Sequence, residues 1–214
     1  MSNLPKESRF PRKKFDMKKI ISLVLVAVSL LLLPSCSSDC SYDEAEVKAA
    51  AEDLIRDAAV YNDIFWGGGI PYDKGGYSNG IYYAADVTYL HKMGFLKLED
   101  IYKKAANIYS ADYLDSIYLG MNTNGKVRYY EESKYIMVNS NYEPFLVDEI
   151  RYLYDTLEVL GSDGDTVSVK ISVKVTRGEA TQTRDKEIDL VKEGERWLID
   201  SPTYTTFRPE GLKK

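Results

Sequence analysis

The feature that most constrains the fold is a run of alternating apolar and polar residues in the last quarter of the chain. From Val167 to Val175 every second residue is valine or isoleucine, and serine or lysine stands between them. A period of two predicts a strand with one buried and one solvated face. The pattern resumes at Ile188, and Gly178 and Gly194 stand where two turns are expected. We therefore predict three consecutive antiparallel strands whose apolar face is covered by an earlier part of the chain.

An amphipathic helix is the first candidate for that cover. Apolar residues recur at three- and four-residue steps from Asp43 to Phe65, and acidic residues stand in the first turn, where the helix dipole favours them. We expect Trp197 to be buried between this helix and the sheet, near Leu54 or Ala58. Two shorter helices are predicted at Leu98–Tyr109 and Ala111–Leu119.

The remaining elements are predicted to be strands. They are Ile81–Tyr89 (a strand, or a strand followed by a short turn), a hairpin of Val127–Tyr130 with Tyr135–Val138, and Glu149–Leu160. The order of elements predicts a single α+β domain over residues 43–206, followed by a C-terminal tail at 207–214. In this domain a long N-terminal helix and two short helices pack on a curved antiparallel sheet of five or six strands.

The N-terminus carries the pattern of an export signal. Lys18 and Lys19 precede an apolar stretch, Ile20–Leu33, of fourteen residues. That length is short of the roughly 20 residues of a bilayer span and is typical of a secretory signal. The alternative is an uncleaved signal anchor. Either Met1 or Met17 begins the chain.

The segment after the apolar stretch resembles a bacterial lipobox. It reads Leu33-Pro34-Ser35-Cys36, and this resemblance implies that a lipid such as palmitate is attached to Cys36 after the preceding peptide is removed. We therefore predict a signal peptide with a basic extension at 1–35, and a lipidated cysteine with its tether at 36–42. The protein would then be a lipoprotein of the cell envelope, exported and anchored in the membrane, with its domain outside the cytoplasm.

The charge distribution argues against polyanionic partners. Residues 1–35 hold seven basic and two acidic residues and contribute a charge of +5. Because the whole chain has a charge of −5, the remaining residues carry −10. An acidic body repels phosphate backbones, and we expect no binding to nucleic acid.

A glycine-rich loop follows the first helix. Six of the fifteen residues from Trp66 to Gly80 are glycine, and Trp66, Tyr72 and Tyr77 are interspersed among them. The spacing does not support a phosphate-binding loop. Two interpretations stay open: a solvent-exposed turn region, or an aromatic loop at the rim of a cleft that binds a ligand or partner.

Catalytic and metal signatures are weak. His91 is the only histidine, and no serine or cysteine motif accompanies it, so we interpret it as a surface residue and expect no metal or other cofactor. A cone-shaped domain can still host acid–base chemistry with one tyrosine and one carboxylate in an apolar cavity. The candidates for such a pair are Asp63, Asp86, Asp200, Tyr82 and Tyr83.

Two family resemblances bear on the fold. The helix order and the closing Glu193–Asp200 stretch, with Trp197 and Ile199, resemble the nuclear-transport-factor-2-like (cystatin-like) fold. The chain also resembles secreted inhibitors of cell-wall DL-endopeptidases. The residues that carry this second resemblance are Gly67 to Gly69, the Leu98–Tyr113 stretch and Trp197 to Asp200. It implies a role in inhibiting a cell-wall hydrolase.

These observations favour a non-enzymatic binding module. We predict that Trp66, Tyr72 and Tyr77 recognise an envelope protein or a cell-wall-derived ligand, while the membrane is contacted through the lipid anchor. The alternative is a small cone-fold enzyme, of isomerase or dehydratase type, that uses a tyrosine–aspartate pair.

Overall fold

A computed structural model describes residues 42–121 and 127–208. The predicted signal peptide, Cys36 and nearly all of the tether lie outside the described residues. The chain divides into two units, Met1–Asp39 and Cys40–Lys214, and only the second contains described residues. None of the helices in the described ranges is long and apolar enough to cross a membrane.

The described residues form an α+β domain, as predicted. The helices are α1 (Glu44–Trp66), α2 (Val87–Met93), α3 (Leu98–Ala105) and α4 (Ala111–Met121). The strands are β1 (Ser78–Asn79), β2 (Tyr82–Ala84), β3 (Tyr129–Glu132), β4 (Tyr135–Asn139), β5 (Glu149–Asp163), β6 (Thr166–Arg177), β7 (Ala180–Glu193) and β8 (Arg196–Ile199).

The strands divide between two antiparallel sheets instead of forming one curved sheet. The small sheet has the order β1-β2-β4-β3, and the large sheet has the order β5-β6-β7-β8. In the large sheet, β6, β7 and β8 are the three consecutive strands that the alternating pattern predicts. The pairing of β2 with β4 could not be predicted from sequence, because paired residues such as Tyr82 and Asn139 are far apart in the chain and leave no local signal.

The core lies between α1 and the large sheet. Asp43 caps α1 through its carboxylate, which accepts a hydrogen bond from Ala45 N at 2.8 Å. The helix buries one stripe of residues, including Val47, Ala51, Ile55 and Ala58, and packs against β5 and β8. The sheet contributes the alternating residues of β6 and the matching residues of β7, which are Val167, Val169, Ile171, Val173, Val175, Ile188 and Leu190. We call this side of the large sheet its inner face.

A short helix replaces part of one predicted strand. The strand predicted at Ile81–Tyr89 ends at Ala84, and α2 begins two residues after Ala85. The Asp86 carboxylate accepts hydrogen bonds from Thr88 N at 2.7 Å and Tyr89 N at 3.1 Å, which caps the helix. The cap stabilises a helical turn over residues whose composition alone favours a strand.

Trp197 is buried, although not where we predicted it. The residue is 9% exposed, and its indole N–H donates to Glu46 Oε1 at 3.1 Å. Its position is therefore about two helical turns closer to the start of α1 than Leu54. Strand β8 is only four residues long, so it reaches the first turns of the helix and not its middle.

Candidate functional site

The candidate site is a cluster of tyrosines on one side of the small sheet. Opposed residues of an antiparallel pair point to the same side, and Asn79 opposes Tyr82 while Tyr135 opposes Glu132. The cluster, which we call the tyrosine face, consists of Tyr77, Asn79, Tyr82, Tyr130, Glu132 and Tyr135. Its residues are exposed or half-buried.

The rings of the tyrosine face form two pairs. Tyr77 and Tyr135 stack with ring centroids 5.0 Å apart and planes 15° from parallel. Tyr82 and Tyr130 meet edge to face at 4.8 Å. Both geometries are favourable for aromatic rings. Met137 is fully buried on this side of the sheet and does not belong to the main core, so the tyrosine rings form its cover.

Polar groups are held between the rings. Tyr130 OH donates to Glu132 Oε2 at 3.0 Å, and Asn79 Nδ2 donates to the two oxygens of the same carboxylate at 3.3 and 3.2 Å. The charge of Glu132 raises the pKa of the Tyr77 hydroxyl. The Tyr77 hydroxyl therefore stays neutral at pH 7.

Two tight turns build this face. Gly80 has a φ of +65° and opens the two-residue loop that brings Asn79 opposite Tyr82. Glycine adopts this conformation without steric cost, as hairpin turns require. Ser133 opens the loop between β3 and β4 with a φ of +57°. The turns set the register and so decide which tyrosines share a side.

The three aromatic residues predicted as a binding set lie in three different environments. Tyr77 belongs to the tyrosine face and is 46% exposed. Tyr72 stacks on Tyr83 at 5.4 Å, and Tyr83 points to the opposite side of β2 from Tyr82. Trp66 ends α1 and packs on Tyr204 with centroids 4.9 Å apart. Of the predicted set, the structure brings Tyr77 alone to the tyrosine face.

The first glycines of the loop serve the fold directly. A Cβ atom on Gly67 would lie 2.3 Å from Asp63 Oδ1 and 2.9 Å from Asp63 Cα. Gly69 has a φ of +83°, and a Cβ there would lie 2.4 Å from Arg128 Nη2. Both positions therefore exclude side chains because the chain packs tightly on itself.

Arg128 and Tyr129 are the residues that sequence reasoning missed. Arg128 is 3% exposed, and its guanidinium donates to Phe65 O and Gly67 O, both at 2.7 Å. Tyr129 OH donates to Ile64 O at 2.7 Å. These bonds satisfy the last carbonyls of α1, where the helix dipole also favours a cation. They join the small sheet to the end of the helix.

The residues considered for acid–base chemistry do not bond to one another in the described part of the chain. The Asp86 carboxylate caps α2, and Asp63 Oδ1 accepts from Gly68 N at 2.7 Å. Asp200 accepts a hydrogen bond from Ser110 Oγ. Tyr82 OH donates to Val127 O at 3.1 Å. Each of these groups therefore already holds a local contact. His91 lies exposed on α2.

The Ser110–Asp200 contact is part of a junction between the helices and β8. Ser110 N donates to Ile199 O at 2.9 Å, and Ile199 N donates to Ile108 O at 2.8 Å. Ser110 is buried, and its hydroxyl also accepts from Tyr113 N at 3.1 Å. The Leu98–Tyr113 stretch and the Trp197–Asp200 stretch, which are separate in sequence, thus meet in space.

Comparison with known proteins leaves the site to be interpreted from its own chemistry. No protein-family model matches the chain, and a search of curated proteins finds no match either. Within the described ranges, no group of three or more histidine, cysteine, aspartate or glutamate residues is arranged to hold a metal ion.

Proposed function

We propose that this protein is a lipid-anchored binding module of the cell envelope whose tyrosine face recognises saccharide chains derived from the cell wall. The observation that carries the proposal is the tyrosine face itself, in which four exposed or half-buried rings surround one carboxylate and one amide. The anchor is supported by the basic, apolar and lipobox segments that end at Cys36. Mass spectrometry of Cys36 from the membrane fraction checks for the attached lipid.

The chemistry of the tyrosine face matches that of a sugar ring. A pyranose presents C–H bonds on its flat side and hydroxyl groups around its edge. Tyrosine rings accept the C–H side, because their faces are apolar and electron-rich. Glu132 and Asn79 offer hydrogen-bond acceptors and donors for the hydroxyls. A site for a small ligand usually combines aromatic side chains with a small number of polar groups.

A saccharide fits this surface better than a protein partner does. A protein interface would remove water from the Glu132 carboxylate, and an unpaired buried charge is costly. Lys134, which is close to Glu132 in sequence, places its ammonium group over the Tyr135 ring, 5.3 Å from the ring centroid. Hydroxyl groups of a sugar replace water at the carboxylate bond for bond, so the desolvation cost is smaller. An envelope protein remains the outcome to test against.

We further infer that the domain has the cystatin-like cone fold. The support is α1 packed on an antiparallel sheet that closes with Trp197 and Ile199, together with the buried Ser110–Asp200 junction. This junction joins two of the three stretches on which the resemblance to endopeptidase inhibitors rests. A module bound to a wall saccharide would also block a wall hydrolase from reaching that saccharide. This is a physical mechanism by which the protein would inhibit the hydrolase.

The test is titration of the purified full-length chain with soluble oligosaccharides of N-acetylhexosamine units, followed by calorimetry. We expect Tyr77→Ala and Glu132→Gln each to weaken binding at least about tenfold, which corresponds to about 1.4 kcal/mol. Tyr72→Ala is the matched control, since this tyrosine comes from the same loop but stacks on the opposite side of the sheet. Tyr77→Ala should change the free energy of unfolding by less than about 1 kcal/mol, since nearly half of the residue is exposed.

If Tyr72→Ala loses binding to the same extent, the saccharide site does not lie on the tyrosine face. Absence of saccharide binding by the parent chain, combined with capture of an envelope protein that depends on Tyr77, would replace the saccharide by a protein partner.

A further inference from the structure

In the part of the chain that the structure describes, one strand of the large sheet is left unpaired on one side along part of its length. Strand β7 has 14 residues, but β8 pairs only with its last part, Leu190–Glu193. The backbone of Asp189, the residue before this paired part, is also hydrogen-bonded. Asp189 O accepts from Asp200 N and Asp189 N donates to Ser201 Oγ, both at 2.8 Å. Between Thr183 and Glu187 the edge of β7 has no neighbouring strand among the described residues.

The free part of this edge presents backbone groups that are ready for pairing. In a strand, every second residue turns its N–H and C=O to the same side. Since Asp189 directs both groups towards β8, Asp185 and Glu187 direct theirs the same way. Within the described part of the chain, no backbone or side-chain group bonds to these outward groups of Asp185 and Glu187. A strand placed there would satisfy them.

A groove runs beside this edge and leaves room for such a strand. Its volume is about 480 Å³, and it lies between β7 and the C-terminal segment 202–208. Phe145 lines one side, is 62% exposed, and packs edge-on against Tyr204 at 6.0 Å. Arg184 Nη1 donates to Thr206 O at 3.0 Å, which fixes the opposite wall. The groove therefore combines an unpaired edge with an exposed aromatic side chain.

The other edge of the large sheet is shaped to prevent pairing, and the contrast is informative. The register of β5 against β6 shifts twice, between Leu153 and Glu158 and between Val159 and Gly161. Bulges of this kind twist an edge away from additional strands. The register of β7 against β6 is continuous from Val191 to Ala180. Compared with β5, the free part of β7 keeps the regular spacing that an added strand needs.

The charges along the β7 edge exclude a second copy of this chain as the occupant. Arg184 and Lys186 lie on the inner side, opposite Val173 and Ile171 of β6, and Asp185 and Glu187 lie on the outer side. Antiparallel pairing of two copies would set residues from the same side opposite each other. Cations would then face cations, and carboxylates would face carboxylates, which is destabilising.

We infer that this surface, the β7 edge groove, binds an extended segment of another protein as an added antiparallel strand. The segment presents acidic side chains to Arg184 and Lys186 and basic side chains to Asp185 and Glu187. Lys170 lies beside Asp185 and Glu187 on the outer side, so the inner contacts with the two cations are the stronger ones. Main-chain hydrogen bonds supply affinity, and the charge pattern supplies specificity.

The probe is a fluorescent peptide of alternating glutamate and lysine, measured by anisotropy with the full-length chain. A peptide of the same composition with its acidic and basic residues in separate blocks is expected to bind at least about tenfold more weakly. In an antiparallel pair the residue opposite Asp185 exchanges both hydrogen bonds with it, and that residue is a lysine of the probe. N-methylation of the lysine amides should therefore abolish binding, whereas N-methylation of the glutamate amides should not.

Variants of the protein test the same edge from the other side. Glu187→Pro removes an outward N–H that makes no bond to β6, so the fold tolerates it while strand addition is blocked. Lys186→Glu should weaken the probe at least about tenfold, and it decides the matter even if the proline variant fails to fold. Lys48→Glu changes the net charge equally on the exposed side of α1 and is the matched control.

Three results would overturn the inference. They are equal binding of the block peptide, undiminished binding of the lysine-methylated peptide, and no binding of any probe at millimolar concentration.

Discussion

The two sheets achieve order by different means. The large sheet buries the alternating valine and isoleucine residues of β6 on its inner face, beneath α1. The small sheet has strands of two to five residues and directs tyrosines to solvent. Short strands with a half-exposed aromatic side have little stability of their own. The small sheet is therefore stabilised by the hydrogen bonds of Arg128 and Tyr129 to α1. Because of this attachment, it can expose tyrosine side chains to solvent and still stay folded.

The largest expected effect comes from removing a core side chain of the large sheet. Ile171 is fully buried at the centre of β6. Ile171→Ala removes apolar contacts and leaves a cavity, so we expect the free energy of unfolding to fall by about 4 kcal/mol in chemical denaturation. Val60→Ala, at an exposed position of α1, is the control and should cost below about 1 kcal/mol. A loss of under about 1 kcal/mol for Ile171→Ala would mean that the large sheet is not the scaffold.

The second expected effect concerns the connection between the small sheet and α1. Arg128→Ala leaves the carbonyls of Phe65 and Gly67 without their donors, which we expect to cost about 3 kcal/mol. Hydrogen exchange should accelerate at the amides of β3 and β4 well before those of β6 respond. Arg56→Ala removes an exposed ion pair with Glu52 and serves as the control. Equal acceleration in both sheets would show that they unfold as one unit.

The smallest effect sharpens the comparison at the end of the large sheet. Asp148 accepts from Arg177 Nε at 2.5 Å and Nη2 at 2.9 Å, and these bonds lower the pKa of the Asp148 carboxyl. A carboxyl with a lowered folded-state pKa contributes stability above its unfolded pKa of about 3.9, and this contribution is lost as the pH falls through the folded value.

Asp148→Asn should therefore cost about 1 kcal/mol at pH 7, since the half-exposed Arg177 is partly screened. The difference from the parent chain should shrink steadily in denaturation curves recorded below about pH 4. A difference that stays constant down to pH 2 would assign the stabilisation to packing and not to the ion pair.

The sequence alone was sufficient where one residue type repeats with a fixed period. The alternation of Val167 to Val175 identified β6, and the stripe from Val47 to Phe65 matches the buried side of α1. The hairpin predicted from Val127–Tyr130 and Tyr135–Val138 corresponds to β3 and β4, but β3 extends through Glu132 and the turn is limited to Ser133 and Lys134. The candidate site was only partly predictable from sequence, because Tyr77 was singled out while its partners Tyr82, Tyr130 and Tyr135 stand up to 58 residues away in the chain.

Sequence by itself determined the α+β class, the three closing strands and the composition that makes this a tyrosine-rich, acidic domain. Those properties follow from local periodicity and from charge, which act within a few residues. Only the tertiary structure decided that the strands form two sheets and that Tyr77 and Tyr72 lie on opposite sides of the small sheet. It also decided that Gly67 and Gly69 lie where a side chain would clash with Asp63 or Arg128. These outcomes depend on register and on contacts between distant segments, and a shift of one residue in register would send every side chain to the other side of the sheet.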